Sequence, residues 1–224
     1  MKDSTLLLDL PAVAIRRIVV SDMANNVYLL TGKRTGAQIL VDAADDAPAV
    51  VALLGTAAND AEVPVSLKLI ATTHSHWDHV RALAELDAKT GAPSAAGRDD
   101  AAAIEAESGV ATGRLLDHGD VLDIDGVVLK SVHLRGHTPG SIAYALEATD
   151  GVGTTVIFSG DSLFPGGVGN TEQDPQRFTS LLNDVEERLF AVYPDDAVVL
   201  PGHGEATTLG AERPALPHWR DRGW

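Results

Sequence analysis

The chain has 224 residues, of which 45% are hydrophobic and 22% charged, so it is long enough for one large globular domain over residues 1–224. Its formal net charge is −15, from 32 acidic and 17 basic side chains, and so acidic a surface repels nucleic acid. There is no cysteine, which excludes disulfides and thiolate metal ligands.

In the first half of the chain, short apolar runs between turn residues predict strands at residues 13–20, 26–30, 38–41 and 67–72. Longer runs predict helices at residues 46–55, 78–90 and 98–107. Asp46 is an N-cap candidate with Pro48 in the first turn, and Gly91 is the expected end of the second helix.

The second half repeats this plan, with predicted strands at residues 121–124, 127–134, 141–146, 154–159 and 198–200. Residues 150–153 are a predicted turn, and Asp174 with Pro175 begins a predicted amphipathic helix. Each half has strands first and helix–strand elements afterwards. This order indicates an α+β fold in which two sheets pack face to face with helices outside.

A cluster of histidines follows the predicted strand 67–72. His74, His76, Asp78 and His79 fall within six consecutive positions, and a strand that ends in this way presents several ligands to one point. Imidazole nitrogen and carboxylate oxygen are ligands that zinc, iron and manganese accept. A single loop histidine usually has no such role, but five of the eight histidines lie here or in two later glycine-flanked turns. The sequence therefore predicts a metal or catalytic site.

The other candidate ligands also lie just past predicted strands. His137 is in the turn Gly-His-Thr-Pro-Gly after strand 127–134, and Asp161 follows strand 154–159. His203 lies between two glycines after strand 198–200. Because glycine has no Cβ, such turns can approach a fixed centre closely and direct one side chain toward it.

The pattern H-x-H-x-D-H, followed in order by His137, Asp161 and His203, resembles the metallo-β-lactamase superfamily from about residue 20 to residue 204. The resemblance implies an αββα sandwich of two mixed β-sheets with helices on the outer faces, and a binuclear metal site at the sheet edge. The implied ligands are His74, His76 and His137 for one ion, Asp78, His79 and His203 for the other, and Asp161 between them. Asp42 matches an aspartate that supports the ligand loop, although alone it is equally a turn residue.

The implied cofactors are two divalent metal ions, with zinc expected and iron or manganese as alternatives. Two cations that share a carboxylate lower the pKa of bound water, so a metal-bound hydroxide can attack a carbonyl at neutral pH. In this scheme Asp78 and Asp161 are the catalytic residues. Ser159 and Ser162 are interpreted as hydrogen-bonding turn residues and not as nucleophiles.

Within the superfamily, the turns around His137 and Asp161 look most like the glyoxalase II branch, which hydrolyses hydroxyacyl-glutathione thioesters. That branch has a basic residue and a tyrosine where this chain has Asn170 and Glu172, and an acidic residue repels the glutathione carboxylate. It also has a longer C-terminal helical region. We therefore expect a metal-dependent hydrolase for a small thioester or related acyl compound, such as a lactone, without specificity for glutathione.

The main alternative is an oxidoreductase. Persulfide dioxygenases share the seven positions but bind a single iron through two histidines and the aspartate, so the identity of the bound metal distinguishes the two hypotheses. RNA-processing members share the motif, but a net charge of −15 makes that function a poor match. A non-enzymatic binding module is expected to have lost a ligand, and none is lost here.

The expected partner is a small acyl substrate, and we expect the protein to bind neither nucleic acid nor a membrane. A homodimer is possible on the sequence evidence. No apolar run approaches the roughly 20 residues of a membrane span. The N-terminal segment has no signal-peptide apolar region, so the expected location is cytoplasmic.

Several residues outside the motif have two interpretations. Arg213, Arg220 and Arg222 in the tail either bind a substrate carboxylate or are solvated. Tyr28 and Tyr144 either approach the pocket or pack within strands. The remaining histidines are interpreted as surface or structural residues: His118, His133 and His218.

Overall fold

The computed structural model describes residues 4–149 and 153–223, and two large β-sheets occupy its centre. The first sheet has seven strands in chain order: β1 Thr5–Asp9, β2 Val13–Val20, β3 Asn25–Gly32, β4 Ala37–Val41, β5 Ser66–Ala71, β6 Ser94–Gly97 and β7 Arg114–Leu116. Its first four strands are antiparallel, and β4 to β7 are parallel. The sheet is therefore mixed, as expected.

The second sheet has six strands among the described residues. In spatial order these are β15 Thr207–Thr208, β14 Val198–Pro201, β11 Val156–Gly160, β10 Ile142–Leu146, β9 Val127–His133 and β8 Val121–Ile124. The strands β11 and β14 are parallel and the other pairs are antiparallel, so this sheet is mixed too. A small hairpin of β12 Leu163–Phe164 and β13 Gly167–Val168 follows β11.

Six α-helices accompany the sheets in the described ranges: α1 Ala47–Thr56, α2 Leu83–Thr90, α3 Ala101–Ser108, α4 Pro175–Val185, α5 Leu209–Glu212 and α6 Leu216–Arg222. The caps follow the predicted chemistry, because the Asp46 carboxylate accepts the Ala49 N–H and Gly91 ends α2 at a φ of 63°. Among these residues, no helix has the length and apolar character that crossing a bilayer requires.

Buried side chains form three layers of core. Alternation along the strands sends Ile39 and Phe158 into the space between the two sheets, whereas Leu40 faces α1 and α2. On the other side, Ile157 packs with α4 and with Trp219 of α6. Each fully buried large aliphatic or aromatic side chain contributes about 1.5–3 kcal/mol. The result is the four-layer αββα sandwich that the sequence predicts.

The structure corrects the element boundaries in several places. The predicted helix 78–90 is divided into a 3₁₀ turn, Trp77–His79, and the helix α2, which begins only at Leu83. Asp78 and His79 of the turn are buried at the sheet edge, and the chain does not continue from them as a regular α-helix. The strand β6 was not predicted, since Ser94–Gly97 has no β-branched residue and pairs only because its neighbours bury it. The strands β1 and β7 and the tail helices α5 and α6 were also not predicted. Residues 150–152 of the predicted turn lie outside the described residues.

The topology brings several strand ends to one edge of the sandwich. The strands β4, β5 and β6 are parallel, and β9, β11 and β14 run in a common direction within the second sheet. A hydrogen bond from the Ile142 N–H to the Thr73 carbonyl joins the sheets directly beside the histidine cluster. All the candidate ligands follow these strands, so they meet at this edge.

An ion pair between a half-exposed arginine and a buried aspartate connects the end of β9 to α4. The Asp184 carboxylate accepts hydrogen bonds from the backbone N–H of Arg135 at 2.9 Å and from its guanidinium at 2.7 and 2.8 Å. Burial raises the pKa of the Asp184 carboxyl, but the hydrogen bonds from Arg135 outweigh burial and hold that pKa below its usual range.

We therefore predict that Asp184→Asn lowers the free energy of unfolding by about 1–3 kcal/mol at pH 7. Because the folded-state pKa of Asp184 is depressed, the stabilisation is present above the unfolded-state pKa and is lost as the pH falls through the folded-state value. Urea unfolding at pH 7 and at successively lower pH measures the difference between the two proteins. Equal stability at pH 7 would contradict the prediction.

Candidate metal centre

The structure brings the seven predicted side chains together at the shared sheet edge. The Nε2 atom of His79 lies 3.5 Å from Asp78 Oδ2, 3.5 Å from Asp161 Oδ1 and 3.2 Å from His203 Nε2. On the other side, His74 Nε2 lies 3.1 Å from Nδ1 of His76. His74, Asp78, His79 and His137 are buried, and the remaining three are partly exposed.

Three overlapping groups of side chains each place their ligand atoms within 4.8 Å of one another. These groups are His74, His76 and His137; His74, His79 and Asp161; and Asp78, His79 and His203. The first and third are the two sets that the sequence resemblance implies, and Asp161 belongs to the group between them. The geometry brings the residues together, and their role as metal ligands stays a prediction.

Hydrogen bonds on the outer side of the rings determine where the imidazole protons lie. The Nδ1 atom of His137 is 2.7 Å from the Asn170 carbonyl, and Nδ1 of His203 is 2.9 Å from the Met23 carbonyl. A carbonyl only accepts, so each Nδ1 carries a proton that it donates outward. In the neutral ring the Nε2 lone pair then faces the cluster.

Asp42 organises the other two buried imidazoles from a backbone φ of 60° at the end of β4. One carboxylate oxygen accepts the Thr73 N–H, and the other lies 2.8 Å from both the Thr73 hydroxyl and His79 Nδ1. The Thr73 hydroxyl donates to Asp42, so it accepts the proton on His74 Nδ1, 3.0 Å away. His79 and His74 therefore also direct Nε2 into the cluster.

The residues present fit a divalent cation. Among the described residues, no hydrogen-bond partner is available to His137 Nε2 or to Asp161 Oδ1, although both atoms are buried. An unpaired buried acceptor is costly unless a cation or a donor compensates it. The donor set contains only nitrogen and oxygen, which suits zinc, iron or manganese.

The electrostatics agree with this fit. Burial lowers the pKa of His74 and of His137, so both rings are held in the neutral form that binds metals. For His79, burial acts in the same direction, but the carboxylates of Asp42, Asp161 and Asp78 outweigh it and raise the pKa to about 9. The cluster therefore favours positive charge at this point, which a divalent ion can supply.

A residue that the sequence did not single out, Asp100, connects two of the ligand loops. Its buried carboxylate accepts the Ser75 N–H at 2.9 Å, the Thr138 hydroxyl at 2.6 Å and the Gly140 N–H at 2.7 Å. These donors flank His76 and His137. A Cβ at Gly140 would lie 2.3 Å from the Asp100 nitrogen, so the glycine permits this approach. Gly140 is a sequence signal for a close backbone approach at this turn, but it does not identify Asp100 as the partner.

Asn25 is a second residue beside the site that the sequence did not identify. Its buried side chain donates to Asp78 Oδ2 at 2.8 Å, and its backbone forms an isolated bridge with His203. Because Asn25 begins β3 and is distant in sequence from both partners, no local pattern indicated the contact.

The two tyrosines pack within the core and do not enter the site. The Tyr28 hydroxyl donates to the Pro201 carbonyl at 2.7 Å, and the Tyr144 hydroxyl donates to the Thr72 carbonyl at 2.8 Å. Both acceptors lie just before ligand loops, so these phenols fix the loops to the sheets.

The two serines beside Asp161, Ser159 and Ser162, differ in the hydrogen bonding of their hydroxyl groups. The Ser159 hydroxyl donates to the Leu163 carbonyl at 2.8 Å, which confirms its interpretation as a turn residue. The Ser162 hydroxyl has no hydrogen-bond partner in the described part of the chain, although its backbone N–H bonds to the Ser159 carbonyl.

A cleft of about 620 Å³ opens beside the cluster, and it is lined by His76 and His137 on one side and by residues of α4 on the other. Two tail arginines do not reach this cleft. Arg213 pairs with Asp195 at 2.6 Å and Arg220 pairs with Glu186 at 2.9 Å. These ion pairs agree with the interpretation of the two residues as surface charges, and a role in substrate binding stays untested.

Comparisons with known proteins agree with the geometry. The family model described as "Metallo-beta-lactamase superfamily" matches residues 20–203, which include all seven site residues. Hydroxyacylglutathione hydrolase GloC of Haemophilus influenzae is 30% identical over 172 residues, covering 70% of this chain and 77% of the relative. An uncharacterised protein of Mycobacterium tuberculosis is 40% identical over 96 residues, which span only 42% of that protein.

Two solved structures are similar over most of the fold. ETHE1 from Myxococcus xanthus has a TM-score of 0.74 and 25% identity, covering 92% of this chain and 84% of the other. TTHA1623 in a di-iron-bound form has a TM-score of 0.69 and 29% identity, covering 88% and 96% of the two chains.

We predict that Asp100→Asn weakens metal binding by about 10- to 100-fold, the usual effect of losing a residue that orients metal ligands. An amide nitrogen cannot accept the donors that the second carboxylate oxygen holds. Competition with a chromogenic zinc chelator measures the affinity, and Asp99→Asn, at the exposed neighbouring position, is the matched control. Equal affinity in the two variants would contradict this role for Asp100.

Proposed function

Because this chain belongs to the metallo-beta-lactamase superfamily, we propose that it is a divalent-metal-dependent hydrolase that cleaves a small thioester or a related acyl compound. The superfamily consists mainly of hydrolytic enzymes. The observation that carries the proposal is the convergence of imidazole lone pairs and carboxylate oxygens at one sheet edge. The similarity to GloC, a hydroxyacylglutathione hydrolase, supports the thioester part.

The proposed cofactors are two divalent ions, preferably zinc, although iron and manganese also suit the ligands. In this proposal His74, His76 and His137 hold one ion, and Asp78, His79 and His203 hold the other. The position of Asp161 supports a bridging role. Its Oδ1 lies 3.5 Å from His79 Nε2, and its Oδ2 lies 3.7 Å from His137 Nε2 and 3.5 Å from His203 Nε2.

When bound, the ions supply an activated water nucleophile and polarise the acyl carbonyl. The protein residues contribute a rigid arrangement of ligands. Asp42 accepts the Nδ1 proton of His79 and a hydrogen bond from the Thr73 N–H, so it preorganises the ligand loop. The Asn25 amide fixes the Asp78 carboxylate in the same way.

Asp78 stays ionised in this environment. Burial raises its pKa, but the protonated forms of His203 and His79 and the hydrogen bond from the Asn25 amide outweigh burial and hold the pKa far below its ordinary value. An Asp78 carboxylate with a lowered pKa is suited to binding a cation, and the position of Asp161 between the two groups of ligands suits it to the same role. We propose these two aspartates as the catalytic carboxylates.

The proposed substrate is an acyl compound other than a glutathione thioester. The Asn170 carbonyl is used by His137, and its side-chain oxygen accepts the Glu172 N–H. The Glu172 carboxylate pairs with Arg177 at 2.6 Å and is exposed. Neither position offers a cation to a glutathione carboxylate, which supports a different specificity.

We predict that His76→Ala and Asp161→Ala each lower kcat/KM for a thioester by at least about 10³-fold and reduce the metal content. Circular dichroism should show an unchanged fold, because neither side chain belongs to the three hydrophobic clusters. Elemental analysis and thioester assays measure the two effects. His118→Ala, at an exposed histidine outside the cluster, is the control. Full metal content with retained turnover in either site variant would refute the assignment.

A further inference from the structure

The cleft beside the metal centre has a charge opposite to that of the whole chain. Apart from the two histidines, its charged lining residues are Arg135 and Arg177, and no carboxylate lines it within the described ranges. The chain as a whole has 32 acidic and 17 basic side chains. A positively lined cleft in so acidic a protein concentrates anions where the surrounding surface repels them.

Arg135 is held in a fixed orientation and still has capacity to bind. Its Nε and Nη2 atoms donate to the buried Asp184 carboxylate, and the side chain is half exposed. Within the described residues, Nη1 makes no hydrogen bond. Arg188 lies 3.3 Å from the same carboxylate, so two guanidinium groups share one negative charge. Glu187 also lies near Arg135, but it lines the neighbouring groove with Asp184, so Arg135 is the member of this charged group that lines the cleft.

Arg177 has a different role, because all of its nitrogens are used. Its Nε donates to the Gly136 carbonyl at 2.8 Å and its Nη2 donates to the His137 carbonyl at 2.5 Å. Its Nη1 pairs with Glu172. Arg177 therefore positions the turn that carries His137, and its charge is largely balanced.

We propose that Arg135 binds an anionic group of the substrate, so that the enzyme prefers acyl compounds carrying a carboxylate. This proposal rests on the proposed hydrolase function. Arg135 is two residues from His137, which limits the separation of their Cα atoms to roughly 7 Å. A short substrate can thus occupy the metal centre with its acyl group and Arg135 with its carboxylate. Hydrolysis adds water across the C–S or C–O bond and releases a carboxylic acid and a thiol or an alcohol.

Gln176 provides a second way to test the charge of the cleft. It lies on the exposed first turn of α4 and lines the same cleft. Replacing it with glutamate exchanges one amide for a carboxylate of the same shape, and a negative charge is favourable near a helix N-terminus. Gln176→Glu therefore changes the charge without disturbing the partner of Asp184.

The experiment compares pairs of thioesters, each a carboxylate and its neutral methyl ester, on the metal-loaded enzyme. One pair is S-succinyl-N-acetylcysteamine and its methyl ester, which places the charge in the acyl half. The other is S-acetyl-3-mercaptopropionate and its methyl ester, which places it in the thiol half. We expect the wild type to have a higher kcat/KM for the charged member of at least one pair. Arg135→Gln and Gln176→Glu should each reduce that preference at least tenfold.

Arg98→Gln is the matched control. Arg98 forms the same type of bidentate pair, with Asp117, but does not line the cleft. It should keep the preference of the wild type. The proposal is overturned if the wild type does not favour the charged member of either pair, or if Arg135→Gln and Gln176→Glu leave the preference intact.

Failure of the proposed function is recognised separately. If the metal-loaded wild type hydrolyses none of the four compounds, the hydrolase proposal fails, and calorimetry with succinate and acetate then tests Arg135 alone. Each anion has a carboxylate that a metal ion can bind, and succinate has a second carboxylate for Arg135. Weaker succinate binding in Arg135→Gln, with acetate binding retained, supports the anion site. Equal succinate binding in the two proteins overturns it.

Discussion

The placement of protons on the buried imidazoles is the constraint on which the site depends. A neutral imidazole can present a lone pair to a cation only if its other nitrogen has an acceptor for its proton. The Asp42 carboxylate provides that acceptor for His79 and, through the Thr73 hydroxyl, orients His74. Backbone carbonyls do the same for His137 and His203. In their neutral forms these four rings therefore direct Nε2 acceptors toward one another, an arrangement that a cation stabilises.

The fold satisfies this constraint by ending its central strands at one edge. Tyrosine hydroxyls from the core hold the backbone before two ligand loops, and Asp100 ties the loop of His76 to the turn of His137. Each of these contacts buries a polar group with its partner, so none adds an unpaired donor or acceptor to the interior. The same packing brings α4 beside the candidate metal centre, where Arg177 of α4 holds the turn of His137 and Asp184 of α4 holds the guanidinium of Arg135, which lines the cleft.

Sequence predicted those features that are local. The alternation of apolar residues predicts most strands, and the spacing of His74, His76, Asp78 and His79 predicts a site at one strand end. Asp100 and Asn25 were not predicted, because their partners are distant in sequence and an acidic or amide residue near a helix or turn has many uses. The strand β6 was missed for a related reason, since its small residues pair only through tertiary burial.

The metal content of the wild-type protein, purified without added metal, tests the central claim most directly. We predict close to two divalent ions per chain, together with thioester hydrolysis that a chelator abolishes and added zinc restores. One iron per chain with oxygen uptake on glutathione persulfide would contradict the account and favour the dioxygenase. A protein that binds no divalent ion would contradict it as well.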